Sequence, residues 1–182
     1  MCLPKKIILV VIFFSRYLCY GQSVNIDTID KEPGYLFINE YGEYLKSSSI
    51  ISIDSVLQQV SQKNFFPLPD KKIIFKGYDP YYYWFRFRLN NNENSPRTFI
   101  LLFGGQGVRS AGLWQGHYNK WNSLGKTGYR YPFESRPYKN VHYCYPGTIA
   151  PNSSDTFYLN VDESHAYKVF VLALFHPEAM KK

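Results

Sequence analysis

Cysteine is scarce in this chain, with three among 182 residues. Cys2 and Cys19 lie in an N-terminal leader that we expect to be removed, so that Cys144 alone would remain. One thiol makes no intramolecular disulfide, and we therefore expect the fold to depend on the burial of apolar side chains. Cys144 stands between Tyr143 and Tyr145 in an apparent strand, a pattern that predicts a small buried hydrophobe.

Patterns of catalytic and cofactor-binding residues are also missing. The chain has no adjacent nucleophile and base, no zinc-ligand spacing among its four histidines, and no phosphate-binding glycine loop. We therefore predict that this chain is not an enzyme and that it uses no cofactor and no metal. A calcium ion held in a turn at Asp155, or at Asp162 and Glu163, is an alternative that the sequence leaves open.

A strong excess of one charge is absent once the leader is set aside. The formal net charge is +7, but three of the 21 basic residues lie in the leader. The remaining 18 basic and 14 acidic residues give a formal charge of +4. The basic residues are scattered, with no run of five, and this distribution excludes a nucleic-acid partner.

Long hydrophobic runs are confined to the leader, and even there the run is short. Lys5 and Lys6 precede the eight apolar residues 7–14, which predicts a secretory signal peptide over 1–21 with Gln22 as the new N-terminus. Lipidation at Cys19 and an uncleaved anchor are the alternatives. After the leader no segment reaches 18 apolar residues, so we expect no membrane span in the remainder. The chain is predicted to be exported to the periplasm or the cell exterior.

Aromatic residues are abundant, at 19% of the chain, and aromatic side chains favour strands. Residues 83–89 alternate, with Tyr83, Phe85 and Phe87 on one face and Trp84 and Arg86 on the other. Further strands are predicted over 35–38, 98–103, 108–114, 141–145, 156–161 and 167–175. Apolar residues at helical spacing predict one short helix over 52–60. Many short strands with a single helix indicate an all-β sandwich or jelly roll.

The predicted domain boundaries follow from the same patterns. Residues 22–34 read as a polar arm that leads into the domain, and 35–176 read as the β-sandwich. Residues 177–182 read as a tail. The region 112–128 is rich in glycine, asparagine and aromatic residues, which favours an exposed binding loop.

Three segments together resemble a known family. They are the strand 83–90 (YWFRFRLN), the segment 128–137 (GYRYPFESRP), and the strand 158–161 (YLNV) after Pro151. Their order and spacing resemble the second type of extracellular domain in bacterial seven-transmembrane receptors with diverse intracellular signalling modules (7TMR-DISM). The likeness covers roughly residues 30 to 176. Asn160 stands where many relatives would have arginine, and this is a departure from the family pattern.

The resemblance implies a jelly-roll sandwich similar to carbohydrate-binding modules, placed outside the cytoplasmic membrane. In that family the domain precedes seven membrane helices and an output module such as a histidine kinase or a nucleotide cyclase. This chain stops at Lys182, just where the first membrane helix is expected, so the tail is a predicted junction. We expect either a receptor fragment, with membrane and signalling modules in cis, or a stand-alone derivative.

Eight residues are predicted to bind a ligand, which we expect to be a small molecule such as a carbohydrate. Arg136 offers a planar fork of donors between two stiff prolines, and aromatic rings stack on sugar C–H surfaces. For each residue the alternative is a structural role, as a loop-tying arginine, a core aromatic or a solvated sheet face. The predicted set comprises Arg136, Trp121, Trp114, Tyr129, Tyr131, Glu134, Trp84 and Arg86.

Three functions remain open at this point. The first is the ligand-sensing domain of a membrane receptor, and the second is a free secreted carbohydrate-binding module. The third is a small glycan-active hydrolase, which would need two carboxylates facing one cleft. No spacing in the sequence singles out such a pair among Glu134, Asp155, Asp162 and Glu163.

Overall fold

The fold was obtained as a computed structural model, which describes residues 23–31, 34–61, 64–69, 74–105, 107–117, 120–162 and 166–180. The predicted signal peptide and Glu163 lie outside the described residues. The elements are β1 (Ser23–Asn25), β2 (Tyr35–Phe37), β3 (Glu43–Ser47), α1 (Ile53–Ser61), β4 (Phe66–Pro67), β5 (Ile74–Asp79), β6 (Tyr82–Asn91), β7 (Arg97–Gly104), β8 (Ser110–His117), β9 (Lys120–Thr127), β10 (Tyr143–Ile149), β11 (Ser153–Asp162) and β12 (Ala166–Phe175).

Two sheets pack face to face. The larger, seven-stranded sheet has the order β4-β3-β6-β11-β8-β9, and β1 adds a short parallel pairing to β6. The smaller, five-stranded sheet has the order β10-β7-β12-β2, with β5 also paired to β12. All other pairings are antiparallel. The prediction of an all-β jelly-roll sandwich with one short helix is confirmed.

Aromatic side chains fill the space between the two sheets. On β6 and β11, alternate residues such as Phe85, Phe87 and Phe157 face this core, as strand geometry requires. Phe157 lies against Phe87 with ring centroids 5.3 Å apart, and against Phe99 of the smaller sheet at 5.4 Å. These apolar contacts join the two sheets. Among the described residues Cys144 is a buried free thiol, so the sheets are held together without a disulfide there.

Two segments differ from the expected organisation. The expected polar arm 22–34 contains β1 and a 3-10 helix, Ile26–Asp30, and Val24, Ile26 and Ile29 are buried in the core. Those three apolar side chains are what draws this segment into the sandwich. The tail expected from 177 onward contains a further 3-10 helix, Pro177–Met180.

The expectation of an exposed binding loop over 112–128 is wrong. Residues 112–117 belong to β8 and residues 120–127 form β9, which pairs with β8 at the edge of the larger sheet. The glycines that suggested a loop have another role, because Gly112 and Gly116 leave room for tryptophan rings above the sheet.

One buried asparagine holds the turns at one end of the sandwich. Asn91, at the end of β6, points its side-chain amide at the carbonyl oxygens of Ser95, Ile149 and Ala150, at 2.8, 3.2 and 2.9 Å. Its Oδ1 accepts a hydrogen bond from the backbone N–H of Glu93. The turn after β6 is therefore tied to the turn before β11. None of the helices in the described part of the chain has the length and hydropathy of a membrane span.

Candidate functional site

The outer face of the larger sheet, which points away from the core, carries the candidate site. Trp84 and Tyr158 belong to a second apolar cluster on this face, while their sequence neighbours belong to the core. Strand pairing places Trp84 opposite Asn160, Asn160 opposite Gly112, and Gly112 opposite Lys126. Directly paired residues share a sheet face, so these four residues form one row across β6, β11, β8 and β9. We call them the central row.

The tryptophans of this face lie over glycines. A Cβ at Gly112 would come within 2.8 Å of the Trp114 ring, and a Cβ at Gly116 would overlap the Trp121 ring. Trp114 contacts Trp84 with ring centroids 5.1 Å apart, and Trp121 contacts Tyr158 at 5.0 Å. The pattern Gly-Leu-Trp-Gln-Gly over 112–116 thus produces flat aromatic surfaces, because both glycines and Trp114 fall on the outer face.

Helix α1 covers one side of this face. Its Val56 is buried against Leu45, Trp84 and Tyr158. The Ser52 hydroxyl accepts a hydrogen bond from the Ser55 backbone N–H at 3.2 Å and so caps the first turn. The isoleucines that lead into the helix are only partly covered, and Ile50 is 66% exposed.

A pocket of about 270 Å³ lies between the helix start and the central row. Trp84, Gly112 and Trp114 contribute aromatic and backbone surface, and Ile50, Ile51 and Ile53 contribute an apolar wall. We call this cavity the tryptophan pocket. A cavity with aromatic rings and a few polar groups is the usual form of a small-molecule site.

Polar groups line the remaining side of the tryptophan pocket. They are Lys126, Arg130, Asn160 and Asp162, together with two serines. Lys126 and Arg130 are exposed, whereas Asp162 is buried. The indole N–H of Trp84 and the amide nitrogen of Asn160 are buried and have no hydrogen-bond acceptor within the described structure. Buried donors of this kind normally have a partner, so their position beside a pocket is informative.

Arg86, another predicted ligand-binding residue, is engaged in an ion pair with a neighbouring strand. Its guanidinium pairs with Glu43 on β3, with Nε 2.6 Å from Oε2, and lies over the Phe65 ring at 4.7 Å. Its positive charge also acts on Tyr158 of β11. Burial raises the pKa of Tyr158, and Arg86 partly offsets that rise. These contacts give Arg86 a structural role in holding β3, β6 and β11 together on this face.

Arg136 lies in a different region, the loop between β9 and β10. Its guanidinium donates to the carbonyl oxygen of Asn140 at 2.9 Å and stands over the Phe133 and Tyr143 rings, each at 5.2 Å. The guanidinium therefore ties its own loop, as the structural alternative from sequence described. The loop packs tightly against the backbone where it begins. At Gly128 there is no room for a side chain, because a Cβ there would come within 2.5 Å of the Arg109 carbonyl oxygen.

The other predicted residues of this loop are scattered. Tyr129 is 63% exposed, and Glu134 is exposed within a short 3-10 helix. Tyr131 reaches back to Ser110, with hydroxyl oxygens 3.4 Å apart. Ser110 and Arg130 both line the tryptophan pocket, so this part of the loop borders the site.

The structure thus brings together two of the eight predicted residues, Trp84 and Trp114, in the tryptophan pocket. Trp121 and Arg86 are on the same face, packed around Tyr158. Sequence reasoning missed Lys126 and Arg130, and it read Asn160 only as a departure from a family pattern. Alternation along 120–127 would have pointed to Lys126 only if β9 had been recognised as a strand.

Carboxylates are not gathered into a catalytic pair among the described residues. Asp155 is buried and bonds His117 and Gln115, the latter with Gln115 Nε2 2.6 Å from Oδ2. Asp162 lines the tryptophan pocket, and Glu134 is in the loop. Asp155 and Asp162 both belong to β11, whereas the calcium alternative placed them in turns. Over the same described residues, no three His, Cys, Asp or Glu side chains come close enough to hold a metal ion.

A second cavity, of about 400 Å³, lies at the opposite end of β6. Arg88, Asn90, Asn152 and Ser154 contribute to its lining, which is entirely polar in residue type. Arg88 donates to Ser154 Oγ at 2.6 Å, and Asn90 donates to Ser23 Oγ at 2.7 Å. These polar groups satisfy one another, and the cavity has no aromatic surface.

Comparison with known proteins gives a family. The sequence profile of the family described as 7TMR-DISM extracellular 2 matches residues 40–173, which confirms the resemblance inferred from three motifs. No curated protein matches the chain. Among solved structures it is similar to TmCBM61 in complex with β-1,4-galactotriose, with 10% identity, 57% of this chain and 68% of that chain covered, and a TM-score of 0.34. It is also similar to GH31 CBM32-2 bound to GalNAc, with 13% identity, 72% and 76% covered, and a TM-score of 0.27.

Proposed function

Because this chain belongs to the 7TMR-DISM extracellular 2 family, we propose that it is the ligand-sensing domain of a membrane signalling receptor and that a small saccharide binds in the tryptophan pocket. The membrane helices and the output module, a histidine kinase or a related enzyme, would be its partners in cis. The domain itself would be exported and tethered to the membrane, and it would have no catalytic role.

The observation that carries the ligand proposal is the partly buried Trp114 ring, which lies in the pocket against the buried ring of Trp84. Their ring centroids are 5.1 Å apart and both rings line the pocket. A sugar presents C–H groups that pack on an aromatic ring and hydroxyls that need hydrogen-bond partners. The adjoining Asn160 and Asp162 supply an amide and a carboxylate for such hydroxyls. A saccharide from the cell envelope fits this combination better than a purely apolar compound.

Ligand binding would act on the receptor through a difference in affinity between two receptor states. The pocket is suited to this because its walls come from separate parts of the chain, the segment before α1 and the strands of the larger sheet. A ligand that contacts both walls would stabilise the receptor state in which the two walls are close enough for it to touch both.

The test is a binding screen of the exported chain against neutral and acidic saccharides, followed by calorimetric titration of every hit. Trp114→Ala should weaken binding by about tenfold or more, which corresponds to about 1.4 kcal/mol. Tyr78→Ala is the matched control, because Tyr78 is an aromatic residue that is 61% exposed on the smaller sheet. Its affinity should equal that of the unmodified chain.

Thermal unfolding of each variant separates binding from stability. We expect Trp114→Ala to keep a midpoint within a few degrees of the unmodified chain, since Trp114 is only partly buried. Saccharide binding that survives Trp114→Ala unchanged would refute the pocket as the site. Binding of no saccharide at all would refute the ligand class.

A further inference from the structure

We propose that the tryptophan pocket selects an acidic saccharide, whose carboxylate is bound by Lys126 and Arg130. This inference rests on the proposed function, because it specifies the ligand of the same pocket. It concerns two side chains from β9 and from the segment that follows it.

The central row fixes where the charge lies relative to the rings. Trp84 is on β6 and Lys126 is on β9, three strand spacings apart, which is roughly 14 Å between their backbones. Gly112, between them, has no side chain, so the surface is low there and the Trp114 ring lies across it. A saccharide whose ring packs on Trp114, above Gly112, therefore lies beside Lys126, the residue that pairs with Gly112.

The charges of Lys126 and Arg130 are available to a ligand. Within the described structure neither side chain is placed against a carboxylate, whereas other cations of the larger sheet have partners. Arg86 pairs with Glu43, and Lys46 lies over the Tyr81 ring at 3.7 Å. Exposed cations cost little to keep unpaired in water, but two of them at the rim of one pocket attract an anion.

Two buried hydrogen-bond donors also favour a negatively charged ligand. Trp84 and Asn160 are paired across β6 and β11, and the indole N–H of the first and the amide nitrogen of the second both lack an acceptor from the described residues. Two donors cannot satisfy each other, so an acceptor has to come from elsewhere. A carboxylate or its neighbouring ring oxygens offer acceptors only, which matches a pocket with two cations and two unsatisfied donors.

Asp162 is the one carboxylate in the pocket lining. It is buried and already engaged in interactions of its own. The lining therefore has two positive groups against one negative group, and the positive groups are the exposed ones. An arginine and a lysine together bind a carboxylate through charge-assisted hydrogen bonds, in which arginine supplies the planar fork.

The test compares trigalacturonate with its methyl ester, which keeps the sugar rings and removes the charge. The variants are Lys126→Gln with Arg130→Gln and, as the control, Lys31→Gln with Lys120→Gln. Lys31 and Lys120 are exposed and outside the pocket lining, so both double variants lose the same net charge. Binding is measured by calorimetry at low and at physiological salt.

We expect the unmodified chain to bind trigalacturonate about tenfold more tightly than the methyl ester. The Lys126 and Arg130 variant should lose that preference, while the Lys31 and Lys120 variant should keep it. The preference should also shrink as salt is added, because the two cations are exposed.

Three results would overturn the inference. Equal affinity for acid and ester, with both abolished by Trp114→Ala, would leave a neutral saccharide pocket, so that the proposed function stands and this inference fails. Equal losses in both double variants would mean a general charge effect. No measurable binding of trigalacturonate also rejects the acidic ligand, and the broader saccharide screen then decides the proposed function separately.

Discussion

The two faces of the larger sheet are built from the same strands and have opposite characters. The inner face is a closed aromatic layer, in which Phe85, Phe87 and Phe157 are each 2% exposed or less. The outer face also carries large rings, but two of them, Trp114 and Trp121, lie over glycines and are only partly buried. One face uses its aromatic residues to hold two sheets together, and the other leaves ring surface within reach of a ligand.

The difference shows that the direction in which a side chain leaves the strand decides what surrounds it. Trp84 and Phe85 are adjacent on β6 and both are 1% exposed, yet Phe85 is surrounded by rings and Trp84 has a buried N–H without an acceptor among the described residues. The ring contacts of Phe85 are complete within the chain. The Trp84 N–H belongs to a residue that lines a pocket, where a ligand can supply an acceptor.

The largest effect is expected on stability, when two neighbouring residues of β6 are replaced in turn. Phe87→Ala should lower the free energy of unfolding by about 3–5 kcal/mol, because it opens a cavity beside Phe157. Arg88→Ala should change it by less than about 0.5 kcal/mol, because Arg88 is exposed on the outer face. Urea denaturation of both variants measures the contrast. Similar losses in the two variants would mean that the faces do not differ as described.

An intermediate effect is expected from two glycines that each meet an aromatic ring. A Cβ at Gly147 would overlap the Phe99 ring, and a Cβ at Gly116 would overlap the Trp121 ring. Phe99 is fully buried, so Gly147→Ala should cost about 1–3 kcal/mol through overpacking. Trp121 is partly exposed and free to swing outward, so Gly116→Ala should cost less than about 1 kcal/mol.

Tryptophan fluorescence gives a second test of the same two glycine variants. All three tryptophans of the chain, Trp84, Trp114 and Trp121, are on the outer face. Gly116→Ala should therefore shift the tryptophan emission, while Gly147→Ala should leave the emission of the folded protein unchanged. An unchanged spectrum in Gly116→Ala would contradict the placement of the Trp121 ring.

The smallest effect concerns alkaline pH. Burial raises the pKa of Cys144 to about 12 and raises the pKa of Tyr145 well above its usual value. A group with a raised pKa binds its proton more tightly in the folded state, so unfolding becomes easier as pH rises above the unfolded value. Stability should therefore be constant at neutral pH and fall from about pH 9 upward.

A comparison of two buried tyrosines tests the predicted loss of stability at alkaline pH more closely. Tyr145 is in the core, whereas Tyr158 is on the outer face, where the neighbouring Arg86 lowers the pKa that burial raises. Tyr145→Phe should therefore remove more of the alkaline loss than Tyr158→Phe. The measurement is the unfolding free energy of both variants at pH 8 and pH 11. A larger effect from Tyr158→Phe would contradict the assignment.

Much of the fold could be predicted from local pattern, because alternation is a local property. The strand 83–89 and the short helix were each visible in one segment, and the family resemblance was visible in the order of three short segments. β9 was not visible, because its Asn122, Ser123 and Gly125 are typical of loops, and Gly125 does have a positive φ of 112° beside Pro137. The arm 22–34 was read as polar because its three buried apolar residues are separated by an asparagine, an aspartate and a threonine.

The candidate site was predictable only in part because it is assembled across strands. Trp84, Asn160, Gly112 and Lys126 come together through three pairings between distant segments. The register of those pairings depends on the packing of the whole sheet, which no single segment encodes. Arg136 was singled out for its flanking prolines, but its partner is a carbonyl oxygen four residues away. A sequence does not identify which backbone carbonyl a side chain will reach.

Asn91 has a mechanical consequence for the whole sandwich. Its amide fastens the turn after β6 to the turn before β11, so these two strands are clamped together at that end. The tryptophan pocket is on the same two strands, towards the other end, at Trp84 and Asn160. Pairing of the two strands continues from Asn91 and Ser153 to Tyr83 and Val161, so the ladder runs unbroken from the clamped end to the pocket. The strand wall of the pocket is therefore stiff, and a change in pocket width has to come from the opposite wall, the isoleucines before α1.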